Sequence, residues 1–206
     1  MTNLTLVIGT KKFSSWSLRP WLALKQAGLP FEEVEIELRQ PQTRDEILRH
    51  SPSGKLPVLK VGDVAVWDSL AICEYVAERA CAHPMWPEHR PTRAVARAVS
   101  AEMHSGFAAL RRDLPMDVGL RRTDFQPGEE AAADIARIIE IWRDCRARFG
   151  AGGPFLFGPF SLADAMFAPV VFRFQSYGVA LDAVCSDYLR AMLALPAMRE
   201  WVAGSL

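Results

Sequence analysis

Three short stretches within the first seventy residues combine side chains and backbone that can hold an anion or a thiol. The first is Phe13-Ser14-Ser15-Trp16-Ser17-Leu18-Arg19-Pro20-Trp21. It opens a helical pattern, so its backbone N–H groups gather at a helix N-terminus, where the macrodipole favours negative charge. Hydroxyls at Ser14 and Ser15 add donors at the same point. A thiolate held there has its pKa lowered by the physics that activates cysteines at helix starts. This turn contains no cysteine, so the thiol has to arrive on a ligand. The plain alternative is serine as an N-cap.

The second stretch is Gly54-Lys55-Leu56-Pro57-Val58-Leu59. Proline before a β run is tolerated where it opens the strand. A cis Leu56–Pro57 bond would turn the Leu56 N–H and C=O outward toward a ligand. The third is Asp68-Ser69, a capping pair whose N–H groups and hydroxyl can equally hold a carboxylate.

These stretches need a scaffold, and the surrounding residues predict one. Leu4 to Ile8 is a short apolar run ending at Gly9, a buried-strand pattern. Ser17 to Ala27 carries helical spacing and stops at Gly28. From Phe31 to Leu38 apolar residues come to alternate with Glu33, Glu35 and Glu37, a half-buried strand. Thr43 to Arg49 reads as a short polar helix. Val58 to Val61 and Ala65 to Trp67 read as strands joined by Gly62-Asp63, a hairpin dipeptide. Asp68-Ser69 then caps a helix through Leu70, Ile72, Cys73, Val76 and Ala77.

The expected order is β-α-β-α-β-β-α over residues 1–82. The first two strands are expected parallel and the rest antiparallel. Residues 83–91 hold Pro84, Pro87 and Pro91 and read as a linker. From 92 to 206 the pattern is all helical. One long stretch is expected to present Val95, Val99, Met103, Phe107 and Leu110 on a single face. Pro127 opens another through Phe149, and a third runs from Leu162 to Phe174. Two shorter helices follow, the last starting at Pro196.

Charge is balanced at 24 basic against 24 acidic residues, which gives no reason to expect nucleic acid or an anionic membrane as partner. The pairs Arg111-Arg112 and Arg121-Arg122 are interleaved with Asp113, Asp117 and Asp124 and read as solvated helix ends. No apolar run approaches the ~20 residues of a membrane span and no leader pattern opens the chain, so a cytoplasmic location is expected. Cys73, Cys81, Cys145 and Cys185 are widely separated and read as reduced thiols. Cys81, His83 and His89 fit no common zinc spacing, so no metal is expected. GxSxG, Walker, HExxH and GxGxxG patterns are absent, and the missing CxxC excludes a dithiol oxidoreductase.

Taken together, Ser14-to-Arg19, Lys55-Leu56-Pro57, Asp68-Ser69-Leu70-Ala71-Ile72 and Ser161-Leu162-Ala163-Asp164 resemble the glutathione transferase superfamily, in particular its zeta-class and related bacterial serine-type members. The resemblance spans the chain. It implies a thioredoxin-like N-terminal domain that binds glutathione and an all-helical C-terminal domain that carries the electrophile site. By the same resemblance Ser14 would donate to the glutathione sulfur, with Ser15 as the fallback. Leu56, before a cis Pro57, would pair with the cysteinyl part. Asp68 and Ser69 would bind the γ-glutamyl end, and Lys55 the glycine carboxylate. Arg19 would be structural or help polarise the site. Ser161 and Asp164 would form a capping box before a buried helix. Trp16 stands where zeta-class members usually carry Cys, and Lys55 replaces the commoner Gln.

The implied activity is conjugation of the glutathione thiolate to a small hydrophobic electrophile, a detoxification chemistry, in a two-fold homodimer. The acceptor side is expected between the domains, from Trp16, Met103, His104, Phe107 and Leu110. His104 is read as an acid or base, or as packing. Phe172 and Phe174 are read as core. A glutathione-dependent cis–trans isomerase and a non-catalytic glutathione- or partner-binding module are the alternatives.

Overall fold

The computed structural model describes residues 3–81, 83–122 and 124–205; the expected domain limits at 1, 82 and 206 lie outside the described residues. The first part runs β1 (Leu4–Gly9), α1 (Ser15–Gln26), β2 (Glu32–Ile36), α2 (Thr43–Leu48), β3 (Val58–Val61), β4 (Val64–Trp67) and α3 (Ser69–Arg79). The second runs α4 (Arg90–Ser105), α5 (Ala108–Asp113), α6 (Glu129–Phe149), α7 (Leu162–Ser176), α8 (Ala183–Ala194) and α9 (Pro196–Ala203). This is a thioredoxin-like domain followed by an all-helical domain.

The strands form one mixed sheet in the order β2-β1-β3-β4. The α1 crossover makes β1 and β2 parallel, while β3 is antiparallel to both β1 and β4. Successive side chains of a strand point to opposite faces, and β1 uses both. Leu4, Leu6 and Ile8 join the main core with Leu18, Leu22, Ile72 and Val76 from α1 and α3. Val7 faces the other way, against Val58, Ile36 and Ile47 of α2. The sheet is therefore held between α1 and α3 on one side and α2 on the other.

The two parts share a core. Helix α7 is buried along almost its whole length and packs on α1 and α4. It begins with the expected capping box: the Asp164 carboxylate accepts from the Ser161 N–H at 2.8 Å and from the Leu156 N–H at 3.0 Å. Helix α9 returns to the first domain, where the Trp201 indole N–H donates to the Lys11 carbonyl at 3.0 Å and its ring packs edge-on against Trp21, 5.1 Å away.

The structure corrects one expectation. The apolar face through Val95, Val99 and Met103 does not continue through Phe107 and Leu110 on one helix. Helix α4 stops at Ser105, Phe107 takes a left-handed conformation (φ 61°), and α5 starts at Ala108. A Cβ at Gly106 would meet the Glu102 carbonyl at 2.8 Å, so the chain turns where only glycine fits. Arg111 then reaches back to accept the role of a C-terminal cap, donating to the Gly106 carbonyl at 3.1 Å and to the Met103 carbonyl. Hydrophobic spacing cannot register that break, because the apolar period persists through it. Among the described residues no helix is long and apolar enough to cross a membrane.

Candidate active site

Strand register gathers the three chemistry-bearing stretches at one end of the sheet. Val58 pairs with Val7 on one side and with Trp67 on the other. Leu56-Pro57, just before β3, therefore lies between the turn that follows β1 and the Asp68-Ser69 pair that follows β4. A cleft of about 580 Å³ opens here, lined from the first domain by Ser53, Lys55, Leu56, Pro57, Asp68 and Ser69, and closed by Trp16, Trp67 and His104.

The Leu56–Pro57 peptide is cis. Leu56 precedes the ladder of β3, and its N–H and C=O make no backbone hydrogen bond among the described residues. Asp68 has a positive φ of 75° and caps α3, its Oδ1 accepting from the Leu70 N–H at 2.8 Å and the Ala71 N–H at 3.4 Å. A non-glycine residue held there stores strain of about 1–3 kcal/mol. Its other oxygen, Oδ2, lies 3.1 Å from Nε2 of His104 on α4. Ser69 is almost fully buried, and its hydroxyl has no hydrogen-bond partner among the described residues. Buried hydroxyls are normally paired, and Ser69 is also one of the residues lining the cleft.

The serines at the start of α1 are placed differently. Ser14 is the N-cap, yet its hydroxyl makes no capping bond and donates instead to the Ser17 hydroxyl at 2.7 Å. Ser17 also accepts the Gly9 N–H, at 3.2 Å. Ser15 opens the helix, and its hydroxyl makes no hydrogen bond among the described residues. Both serines are largely buried and do not line the cleft.

Trp16 is the wall. Its ring meets His104 edge-on at 5.4 Å, and the guanidinium carbons of Arg19 and Arg111 lie 4.4 Å and 4.5 Å from its centre. Arg19 is completely buried. Its Nε donates to the Met166 carbonyl at 3.1 Å, while both terminal nitrogens lack partners among the described residues. Burial, then the neighbouring Arg111, pushes the Arg19 pKa down to about 9. Cys73, buried next to Arg19, is pushed by desolvation up to about 12 and stays a thiol. Burial likewise holds His104 below the usual histidine range, and Arg19 and Arg111 act in the same direction against the opposing pull of Asp68.

Of the acceptor-side candidates, Trp16 and His104 line the cleft. Met103 and Phe107 are buried in the core and do not. Leu110, Phe172 and Phe174 are core as well. Trp67 and Ser53 line the cleft without having been expected there. The signal for Trp67 was its position as the last residue of a strand ending beside Asp68.

Residues 13–79 match the profile of the glutathione S-transferase N-terminal domain, and residues 121–204 that of the glutathione S-transferase C-terminal domain. This chain belongs to the glutathione S-transferase superfamily. Within the superfamily it is similar to rat maleylacetoacetate isomerase, 27% identical over 191 residues that cover 90% of this chain and 85% of that one. It is also similar to a stringent starvation protein A homolog from Haemophilus ducreyi, 23% identical with 90% and 82% covered. Among solved structures, a glutathione transferase homolog from Burkholderia, with bound glutathione, superposes with a TM-score of 0.75 at 24% identity, covering 98% of this chain and 97% of that one. The shared glutathione S-transferase fold is what this last likeness establishes.

Proposed function

We propose that this chain is a glutathione transferase: it binds glutathione in the cleft, stabilises its thiolate with a serine hydroxyl at the start of α1, and conjugates it to a small hydrophobic electrophile. The observation that carries this reading is the buried, unpartnered Ser69 hydroxyl at the N-terminus of α3. A carboxylate is the group such a site selects, because the Ser69 N–H and the macrodipole act with the hydroxyl, the Leu70 and Ala71 N–H groups being taken by Asp68. In this reading the γ-glutamyl carboxylate meets Ser69 and its ammonium meets Asp68. The cysteinyl amide pairs with the free N–H and C=O of Leu56, and the glycine carboxylate meets Lys55. The tripeptide then spans the cleft with its sulfur toward Ser14 and Ser15.

There the thiol gives its proton to solvent and the hydroxyl donates to the sulfur, lowering the thiol pKa toward 7. Ser14 does so by rotating its O–H away from Ser17, which keeps its bond from Gly9. Ser15, with an uncommitted hydroxyl, is the alternative donor. Trp16 forms the acceptor-side wall with His104. The superfamily resemblance adds a two-fold homodimer as the expected assembly.

The likeness to rat maleylacetoacetate isomerase favours a second reading, in which the thiolate adds to a double bond and leaves again after rotation, for no net transfer. The proposal is tested by titrating glutathione into the wild-type chain and into Ser69→Ala in a calorimeter. Saturable binding that weakens by about tenfold or more in the variant supports it, the size expected when a charge-assisted hydrogen bond of about 1.5–3 kcal/mol is lost. Absence of binding by the wild type rejects it in favour of a partner-binding module.

A further inference from the structure

The contact between Asp68 and His104 joins the domain proposed to hold glutathione to the helical domain, and it involves the one carboxylate offered to the ligand's ammonium. We propose that His104 is a positioning residue for glutathione capture: neutral, it aims the Asp68 carboxylate at the ligand ammonium; protonated, it competes with that ammonium, so capture is proton-linked. The inference rests on the reading that the γ-glutamyl end binds at Asp68 and Ser69.

The carboxylate has two oxygens with separate tasks. Oδ1 is spent on the Leu70 and Ala71 N–H groups, which fix the plane of the side chain at the helix start. Oδ2 is the oxygen left for a ligand, and it faces His104 Nε2 at 3.1 Å. An ionised carboxylate only accepts hydrogen bonds, so Nε2 must carry the hydrogen. In the neutral ring this leaves Nδ1 as the lone pair, and that atom is buried with no partner among the described residues. Trp16 packs edge-on against the ring and fixes its orientation. Neutral His104 thus occupies one lone pair of Oδ2 while leaving the second, and the full negative charge, for an incoming ammonium.

A second proton reverses the effect. It would enter on the buried Nδ1, placing a positive charge in contact with Asp68 and repelling the ligand ammonium at short range. The charged groups around the ring set when this happens. Arg19 approaches from α1 and Arg111 from α5, both opposing protonation; Asp68, at the start of α3, favours it. On α4 itself Glu102 is paired with Arg137. On α7, Arg173 is turned to the Leu114 carbonyl. Burial, Arg19 and Arg111 together favour the neutral ring, and Asp68 and acidification favour the charged one.

The test is a titration of the full chain with glutathione, and with S-methylglutathione to remove any contribution from the thiol. It compares wild type, His104→Gln and His104→Ala from pH ~7.5 down to pH ~4.5, reaching below the ordinary histidine range because burial holds His104 lower. Glutamine keeps a donor at the reach of Nε2 and does not titrate. The expected result is a wild-type affinity for both ligands that falls about tenfold or more on acidification, the scale of an ordinary coupling between two bound groups. His104→Gln should restore the neutral-pH binding that His104→Ala loses, and should lack the acid dependence. If wild type binds both ligands but His104→Gln shows the same acid dependence, or wild type shows none, the role of His104 is overturned while the glutathione site stands. If wild type binds neither ligand at any pH in this range, the site itself is misassigned and this inference falls with it.

Discussion

The Ser14 hydroxyl donates to the Ser17 hydroxyl at 2.7 Å, and Ser17 in turn accepts the N–H of Gly9 at the end of β1. The proposed thiolate donor is therefore tied to the sheet, and donating to a sulfur means exchanging one partner for another. Such an exchange keeps the hydroxyl pre-oriented without leaving a buried donor unsatisfied.

Turnover of a general aromatic electrophile with glutathione distinguishes the two serines. Ser14→Ala is expected to lower kcat/KM by about 10²-fold or more, the size of losing one donor aimed at developing charge. Ser15→Ala is expected to change it far less. The reverse ranking would move the donor to Ser15, whose hydroxyl is already free.

The return of α9 to the first domain yields a stability prediction. Trp201 is fully buried against Trp21 and donates to the Lys11 carbonyl. Trp201→Ala is expected to cost about 3–5 kcal/mol, the range for large aromatic truncations. Trp201→Phe should cost less, because it keeps ring packing and loses chiefly the hydrogen bond. Urea unfolding followed by far-ultraviolet circular dichroism reads both. A cost below ~1 kcal/mol for Trp201→Ala would mean that α9 does not hold the domains together.

Asp164 yields a pH dependence. Its carboxyl is buried, and desolvation pushes its pKa up to about 6 despite the opposing donors around it, the N–H groups of Leu156 and Ser161 and the hydroxyls of Ser161 and Tyr188. The folded-state value exceeds the ordinary value of 3.8, so the folded chain holds this proton more tightly than the unfolded chain. The resulting stabilisation is fully present below the unfolded pKa and is lost as pH rises through about 6. Asp164→Asn does not titrate, so its stability deficit relative to wild type should be wider at pH ~5 than at pH ~7.5. Denaturant melts at the two pH values check this; a deficit that widens instead contradicts it.

The parts of the fold that proved legible are those written in local chemistry. The strand runs, the Gly62-Asp63 hairpin, the Asp68 cap and the Ser161/Asp164 box each depend on neighbours within a few residues, and each stands where its residues indicate. The break at Gly106-Phe107 was not legible, because Arg111 and the helix end it caps meet only in three dimensions. Neither the Ser14–Ser17 bond nor the Asp68–His104 contact has a sequence signature. The latter crosses between domains, and Trp16 was readable as a wall but not as the ring against which the Arg19 guanidinium stacks.

Thiolate stabilisation is the central claim for this site. The ultraviolet absorbance of the thiolate of bound glutathione, followed against pH, measures its pKa directly in wild type and in Ser14→Ala. The bound thiol is expected to titrate well below the ordinary value for thiols of about 8.5, with a midpoint that rises in the variant. A bound thiol titrating at its ordinary value in both proteins would contradict it, leaving a chain that holds glutathione without activating it.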